Sequence, residues 1–183
     1  MITGRSSHTI NLRNVRQSFD FDCGAAALQV VMEYYGVEMR LDEIMAELDT
    51  DDDGTNYTHM IVLAEKKGFS VFASEGVSIE QLKNYIDEGY PVIVLVQAWS
   101  ERYMTLDDWR ADYDDGHYAV VIGYKDNIIV FEDPASPRHT WLAEEEFLAR
   151  WHDMNPYTNK KIENFAMVLK GKKPAVKVLE RMG

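Results

Sequence analysis

Between Ala25 and Tyr35 the chain reads AAALQVVMEYY, with Gln29 and Glu33, one turn apart, as its only polar residues. A helix that is apolar nearly all round, with one narrow polar stripe, has to be enclosed on every other side by the rest of the fold. Gly36 follows at the position where a helix C-terminus favours the left-handed backbone. This segment therefore predicts a buried central helix, and the remaining elements must be arranged to cover it.

The first half continues with helical patterns. Leu41 to Leu48 reads as a short amphipathic helix, Tyr57 to Lys67 as a third helix ending at Gly68, and Ile79 to Asp87 as a fourth, with Ser78 as its N-cap and a stop at Gly89. The second half changes period. YPVIVLVQAW, Tyr90 to Trp99, is a continuous apolar run rich in β-branched residues, which is the pattern of a strand buried on both faces. HYAVVIGY and NIIVFED form two further strands around a tight turn at Lys125–Asp126, and so a hairpin. Arg138 to Trp141 and Asn164 to Leu169 are weaker strands. LAEEEFLARWHD between them reads as a helix with Leu142, Phe147, Leu148 and Trp151 on its apolar face. Helices first and an antiparallel sheet after is an α+β layout. No internal repeat interrupts it.

Composition narrows the partners. The 183 residues fit one domain with a sizeable core, and 46% of them are hydrophobic. The net charge of −12, from 31 acidic and 19 basic residues, disfavours nucleic acid and anionic membrane surfaces as partners and suits cationic peptides. The N-terminal MITGRSSHTINLRNV lacks the apolar core of a signal peptide, and the longest apolar run, Pro91 to Val96, is too short to span a bilayer. The expected compartment is the cytoplasm. A single cysteine, Cys23, excludes an internal disulfide.

Cys23 stands immediately before the buried helix. There the partial positive charge of unpaired backbone N–H groups favours a thiolate, and Gly24 permits a close approach to the sulfur. The alternative is an inert packing thiol, and the negative charges of Asp20 and Asp22 work in that direction. His117 opens the first hairpin strand and Asp133 closes the second. Folding at residues 125–127 puts His117 opposite Pro134 or Ser136, according to register, with Asp133 at the same end of the sheet. A histidine held by a carboxylate is the partner a nucleophilic thiol needs. A surface histidine beside an aspartate that caps the DPAS turn is the competing reading. Gln17, six residues before Cys23, is either a solvated loop residue or an amide donor able to share an oxyanion with the Cys23 backbone N–H.

Taken together, RQSFDFDCGAAALQVVMEYYG, DDGHYAVVIGY, IIVFEDPAS and the late EEFLARW resemble the C39 peptidases, papain-like cysteine peptidases known as bacteriocin-processing domains. The resemblance runs from about Val15 to Trp151. It implies a papain-like cysteine peptidase fold, with an N-terminal helical half packed on a C-terminal antiparallel β-sheet. It also implies Cys23 as nucleophile, His117 as general base, Asp133 as orienting acid and Gln17 as oxyanion donor. No metal or organic cofactor is implied. The expected domain covers residues 15–171, between an N-terminal arm, 1–14, and a C-terminal tail, 172–183. The processing domains of the family are usually fused to an ABC transporter and cut after a double glycine in a leader peptide. No transporter segment follows Gly183, so the expected substrate is stated only as a peptide or protein. An acyltransferase or amidase using the same triad, and a non-catalytic peptide-binding module, are the alternatives.

Two further stretches carry expectations. The acidic connection WSERYMTLDDWRADYDDG, Trp99 to Gly116, reads either as a substrate-facing loop or as a solvated spacer. DTDDDGTNYTHM, Asp49 to Met60, imitates the start of a calcium loop, but Met60 occupies the position that needs a bidentate glutamate. It reads as an acidic turn leading into the next helix.

Overall fold

The computed structural model describes residues 8–175. The ends of the proposed arm and tail, residues 1–7 and 176–183, lie outside the described residues. The buried helix forms as its pattern requires: α1 runs Cys23–Tyr34, and Ala25, Ala26, Ala27, Leu28, Val31 and Met32 are sealed from solvent. Burying one such leucine stabilises the fold by about 1.5–3 kcal/mol. Of the two polar residues, Gln29 donates its amide to the Met39 carbonyl at 2.8 Å, and Glu33 lies 3.8 Å from Arg13. Gly36 ends the helix with φ 76°.

Three more helices follow in the first half, α2 (Leu41–Glu47), α3 (Tyr57–Lys66) and α4 (Ile79–Asp87). Ser78 and Gln81 form a reciprocal capping box at the start of α4. This half is not wholly helical. Ser70–Ser74 is a strand, β2, and it pairs with β9 (Ala166–Lys170) far along the chain. The core strand β3 is Val92–Gln97, every residue of it buried. It pairs with β4 (Gly116–Lys125), which forms the hairpin with β5 (Ile128–Glu132). The antiparallel sheet runs β2-β9-β3-β4-β5-β6, with β6 at Thr140–Ala143. Strand β1 (His8–Thr9) pairs with Tyr124 and Gly123 of β4, beyond the point where β3 stops. α1 lies against β4 and is flanked by α2 and α3.

Several boundaries differ from the sequence expectation. The helix read over LAEEEFLARWHD shrinks to α6, Glu144–Arg150. Leu142 belongs to β6, where it pairs with Ile129, and His152–Asn155 forms a strand, β7, paired with β8 (Lys160–Glu163). Phe147 and Trp151 are buried and stacked on each other, but Leu148 is exposed, so it is not on the apolar face. The connection from Trp99 to Gly116 contains a capped helix, α5 (Leu106–Ala111). Its Trp109 packs with Met104 and Ala149 in a small second core. Of that connection, Tyr113, Asp114 and Gly116 at its C-terminal end line the cleft described next. No helix among the described residues is long and apolar enough to cross a membrane.

Candidate active site

Cys23 is the first residue of α1 and His117 the second of β4, and the packing of α1 on β4 brings both into one cleft of about 340 Å³. Gly24 makes this approach possible. A Cβ there would stand 2.7 Å from Thr55 Cβ and 3.0 Å from Tyr118 Cδ2. The small residue therefore serves the protein's own packing beside the sulfur as much as access to it.

The hairpin carries Asp133 to His117. A bulge between Val121 and Gly123 shifts the pairing by one residue, from Gly123↔Val130 to Val121↔Phe131 and Val120↔Glu132. Extended to the strand start, this register falls between the two alternatives set by a regular hairpin. The His117 Nε2 lies 2.8 Å from Asp133 Oδ1, and both side chains are buried. Asp133 Oδ1 also accepts from the Ala135 N–H at 2.9 Å, while Oδ2 accepts from Trp99 Nε1 at 3.2 Å and Thr140 Oγ1 at 3.4 Å. Asp133 thus caps the DPAS turn and holds the imidazole with the same carboxylate. With Nε2 engaged, Nδ1 remains for Cys23.

The electrostatics match that geometry. Burial pushes His117 down, but hydrogen bonds to Asp133 and Cys23, and the charges of both, outweigh it and raise the imidazole to about 10. Burial likewise pushes Asp133 up, and the hydrogen bonds and charge of His117 bring it below the ordinary carboxylate range, with help from Ala135 and Trp99. The arrangement favours an imidazolium held by the Asp133 carboxylate and facing Cys23.

The segment before α1 is fastened to the same corner. Val15 N–H donates to Glu132 Oε1 at 3.0 Å, Asn14 Nδ2 to the Pro137 carbonyl at 3.0 Å, and Gln17 N–H to the Pro134 carbonyl at 3.0 Å. The Gln17 side-chain amide donates to the Phe19 carbonyl at 2.9 Å, and its Oε1 is buried without a partner. Asp22 is fully buried and accepts from the Ser18 and Phe19 N–H groups at 2.9 and 3.2 Å, closing the loop that precedes Cys23. Asp20 faces the cleft. The two aspartates therefore do different things.

Sequence reasoning missed two residues at this site. Trp99 follows β3 with φ 65° and is more than half exposed, yet it aims its indole N–H at Asp133. A non-glycine left-handed residue at a strand end, carrying a large exposed ring, is a costly arrangement. Asp153, read as a helix end, lies on β7 and lines the cleft. Gln97 Nε2 donates to it at 2.9 Å, and a Cβ at Gly116 would stand 2.5 Å from its Oδ1, so a larger residue there would displace the carboxylate. Burial raises Asp153 to about 6 despite the Met154 and Gln97 hydrogen bonds.

The sequence matches the family described as peptidase C39 over residues 11–162. The chain belongs to the peptidase C39 family. Among its relatives, a lactococcin-A transport/processing ATP-binding protein of Lactococcus lactis is 30% identical over 134 residues, which is 72% of this chain and 16% of that protein. The match thus spans a small part of the relative's length. The peptidase domain of Streptococcus ComA, described as a bifunctional ABC transporter involved in quorum sensing, superposes with a TM-score of 0.62 at 27% identity. That alignment covers 86% of this chain and 96% of the domain. A double glycine motif protease from a PCAT transporter, solved in complex with its leader peptide, shares the fold with a TM-score of 0.63 at 18% identity. It covers 93% of this chain and all of that one. The chain thus shares the mixed helix and antiparallel-sheet architecture of the C39 peptidase domains.

Proposed function

We propose that this C39 family member is a cysteine peptidase that acts on a peptide or protein substrate through an acyl-enzyme. The observation that carries the reading is the buried His117–Asp133 pair, whose remaining ring nitrogen opens toward Cys23 in a shared cleft. In this mechanism Cys23 Sγ, as thiolate, attacks the carbonyl carbon of the scissile amide. The negative charge moves to the carbonyl oxygen, where the backbone N–H of Cys23, at the start of α1, and the second amide hydrogen of Gln17 receive it. His117 gives its Nδ1 proton to the leaving nitrogen as the C–N bond breaks. Water then attacks the thioester carbon, His117 takes one of its protons, and the acid product leaves with the thiolate restored. Asp133 holds the ring in one orientation and tautomer throughout.

The catalytic unit is the segment 15–171. The names of the relatives support a peptide as the substrate, since one of them processes as well as transports and another was captured with a leader peptide. A peptide-library digest comparing the wild type with Cys23→Ser tests the reading. Cleavage by the wild type that disappears in the variant is expected. Identical product profiles would overturn it.

A further inference from the structure

The cleft that holds Cys23 is walled by carboxylates from four separate parts of the chain. Asp20 comes from the loop before α1, Asp52 and Asp53 from the loop between α2 and α3, Asp114 from the residues before β4, and Asp153 from β7. None of the described residues lining the cleft is lysine or arginine, and none of these five aspartates has a lysine or arginine ion-pair partner among the described residues. Four of the five are exposed, where water reduces their mutual repulsion. Asp153 is half-buried, and its assigned hydrogen-bond donors are an amide and a backbone N–H.

What such walls attract depends on how the charges are spread. Among the described residues no three histidine, cysteine or acidic side chains converge closely enough to hold a metal ion. The carboxylates surround the space instead of meeting at a point. That distribution suits an elongated organic cation whose stem packs on apolar surface while its head meets several carboxylates. The same walls supply aromatic surface, from Phe21, Tyr57, Tyr113 and Tyr157. Tyr113 already carries a cation of this kind, with Lys161 Nζ 4.3 Å from its ring centre.

We propose that the cleft selects a peptide with a lysine or arginine side chain beside the bond to be cut, held by Asp153 and Asp114 with Asp20, Asp52 and Asp53 around it. The selection rests on the reading of Cys23 as the nucleophile. Asp153 lines the same cleft as Cys23 and His117, and the His117 charge acts on its carboxylate. Its charge is therefore felt within the cleft where the scissile bond would lie.

Charged thiol reagents read this selection without a known substrate, because Cys23 is the only cysteine. Three methanethiosulfonates are compared: trimethylammonium-ethyl, sulfonato-ethyl and methyl, each normalised to its rate with 2-mercaptoethanol. At low ionic strength the cationic reagent should modify Cys23 at least tenfold faster than the anionic one. The ratio should shrink in 0.5 M salt, where the Debye length falls below about 5 Å. It should also fall at least threefold in Asp153→Asn and in Asp114→Asn, the latter a change at an exposed position that leaves the fold untouched. Peptides carrying lysine next to the cleavage point should be cut faster than their norleucine counterparts, with the difference mainly in KM. Equal rates for the two charged reagents, or a ratio unchanged in both variants, would overturn the selection. If the methyl reagent is fast and His117-dependent while the charged reagents are equal, charge selection alone fails. If the methyl reagent is slow and indifferent to His117→Ala, the nucleophile reading fails and the selection falls with it.

Discussion

Asp133→Asn removes one charge from a buried site and leaves the shape almost unchanged. His117 stands at about 10 against an ordinary 6.5, and burial works against that rise, so all of it comes from Asp133 and Cys23. An opposite charge at hydrogen-bond distance shifts a titrating group by roughly 1–3 units. The variant imidazole should therefore titrate about 1–3 units below the wild type, which corresponds to about 1.4–4 kcal/mol of preference for the charged ring. The sign for stability follows from the same shift. A histidine raised on folding contributes stability that is complete below its unfolded value and is lost as the pH rises through its folded value. The wild type should lose this contribution progressively from about pH 6.5 and completely by about pH 10, and the variant should finish losing it at lower pH. Nitrogen-15 shifts of the imidazole, assigned by comparison with His117→Ala, follow the titration directly. A wild-type His117 that titrates near 6.5, or an Asp133→Asn value equal to the wild type's, would refute the reasoning.

Three other perturbations follow from the same contacts. Gly24→Ala forces a methyl against Thr55 and Tyr118 and should cost about 1–3 kcal/mol in a denaturant titration, with slower modification of the neighbouring thiol. Trp99→Phe keeps the ring but removes the donor to Asp133; kcat/KM should fall roughly threefold to tenfold, for the loss of about 1 kcal/mol at a half-exposed hydrogen bond. Burial raises Glu132 to about 7 from 4.5, with the Asp133 charge adding to it, so its neutral form favours the fold at low pH and that stability is lost as the pH rises through about 7. Glu132→Gln should flatten the dependence of the unfolding midpoint between pH 5 and 8 and be the more stable protein at the upper end.

The parts of the fold that were legible in the sequence are those decided by local pattern. α1 could be placed because eleven residues with two polar ones leave no other arrangement, and β3 because its apolar run is too short for a second buried helix. The His117–Asp133 proximity followed from the hairpin, but its register did not, since the bulge at Val121–Gly123 has no marker in HYAVVIGY. β2 was hidden because its partner is β9, and a strand at the sheet edge has only a half-buried pattern to show. Trp99 and Asp153 were hidden for the same reason: each owes its role to a contact with a distant segment, Trp99 to Asp133 and Asp153 to Gln97. The helix read over LAEEEFLARWHD was too long because its end is set by pairing of His152–Asn155 with β8, which the helical period cannot reveal.

The proposed mechanism requires His117 to activate Cys23 as the nucleophile. The most direct measurement is the rate of iodoacetamide alkylation of Cys23 at neutral pH in the wild type and in His117→Ala. Rapid modification of the wild type, falling at least tenfold in the variant, is the predicted result. Slow modification at the same rate in both proteins would contradict it.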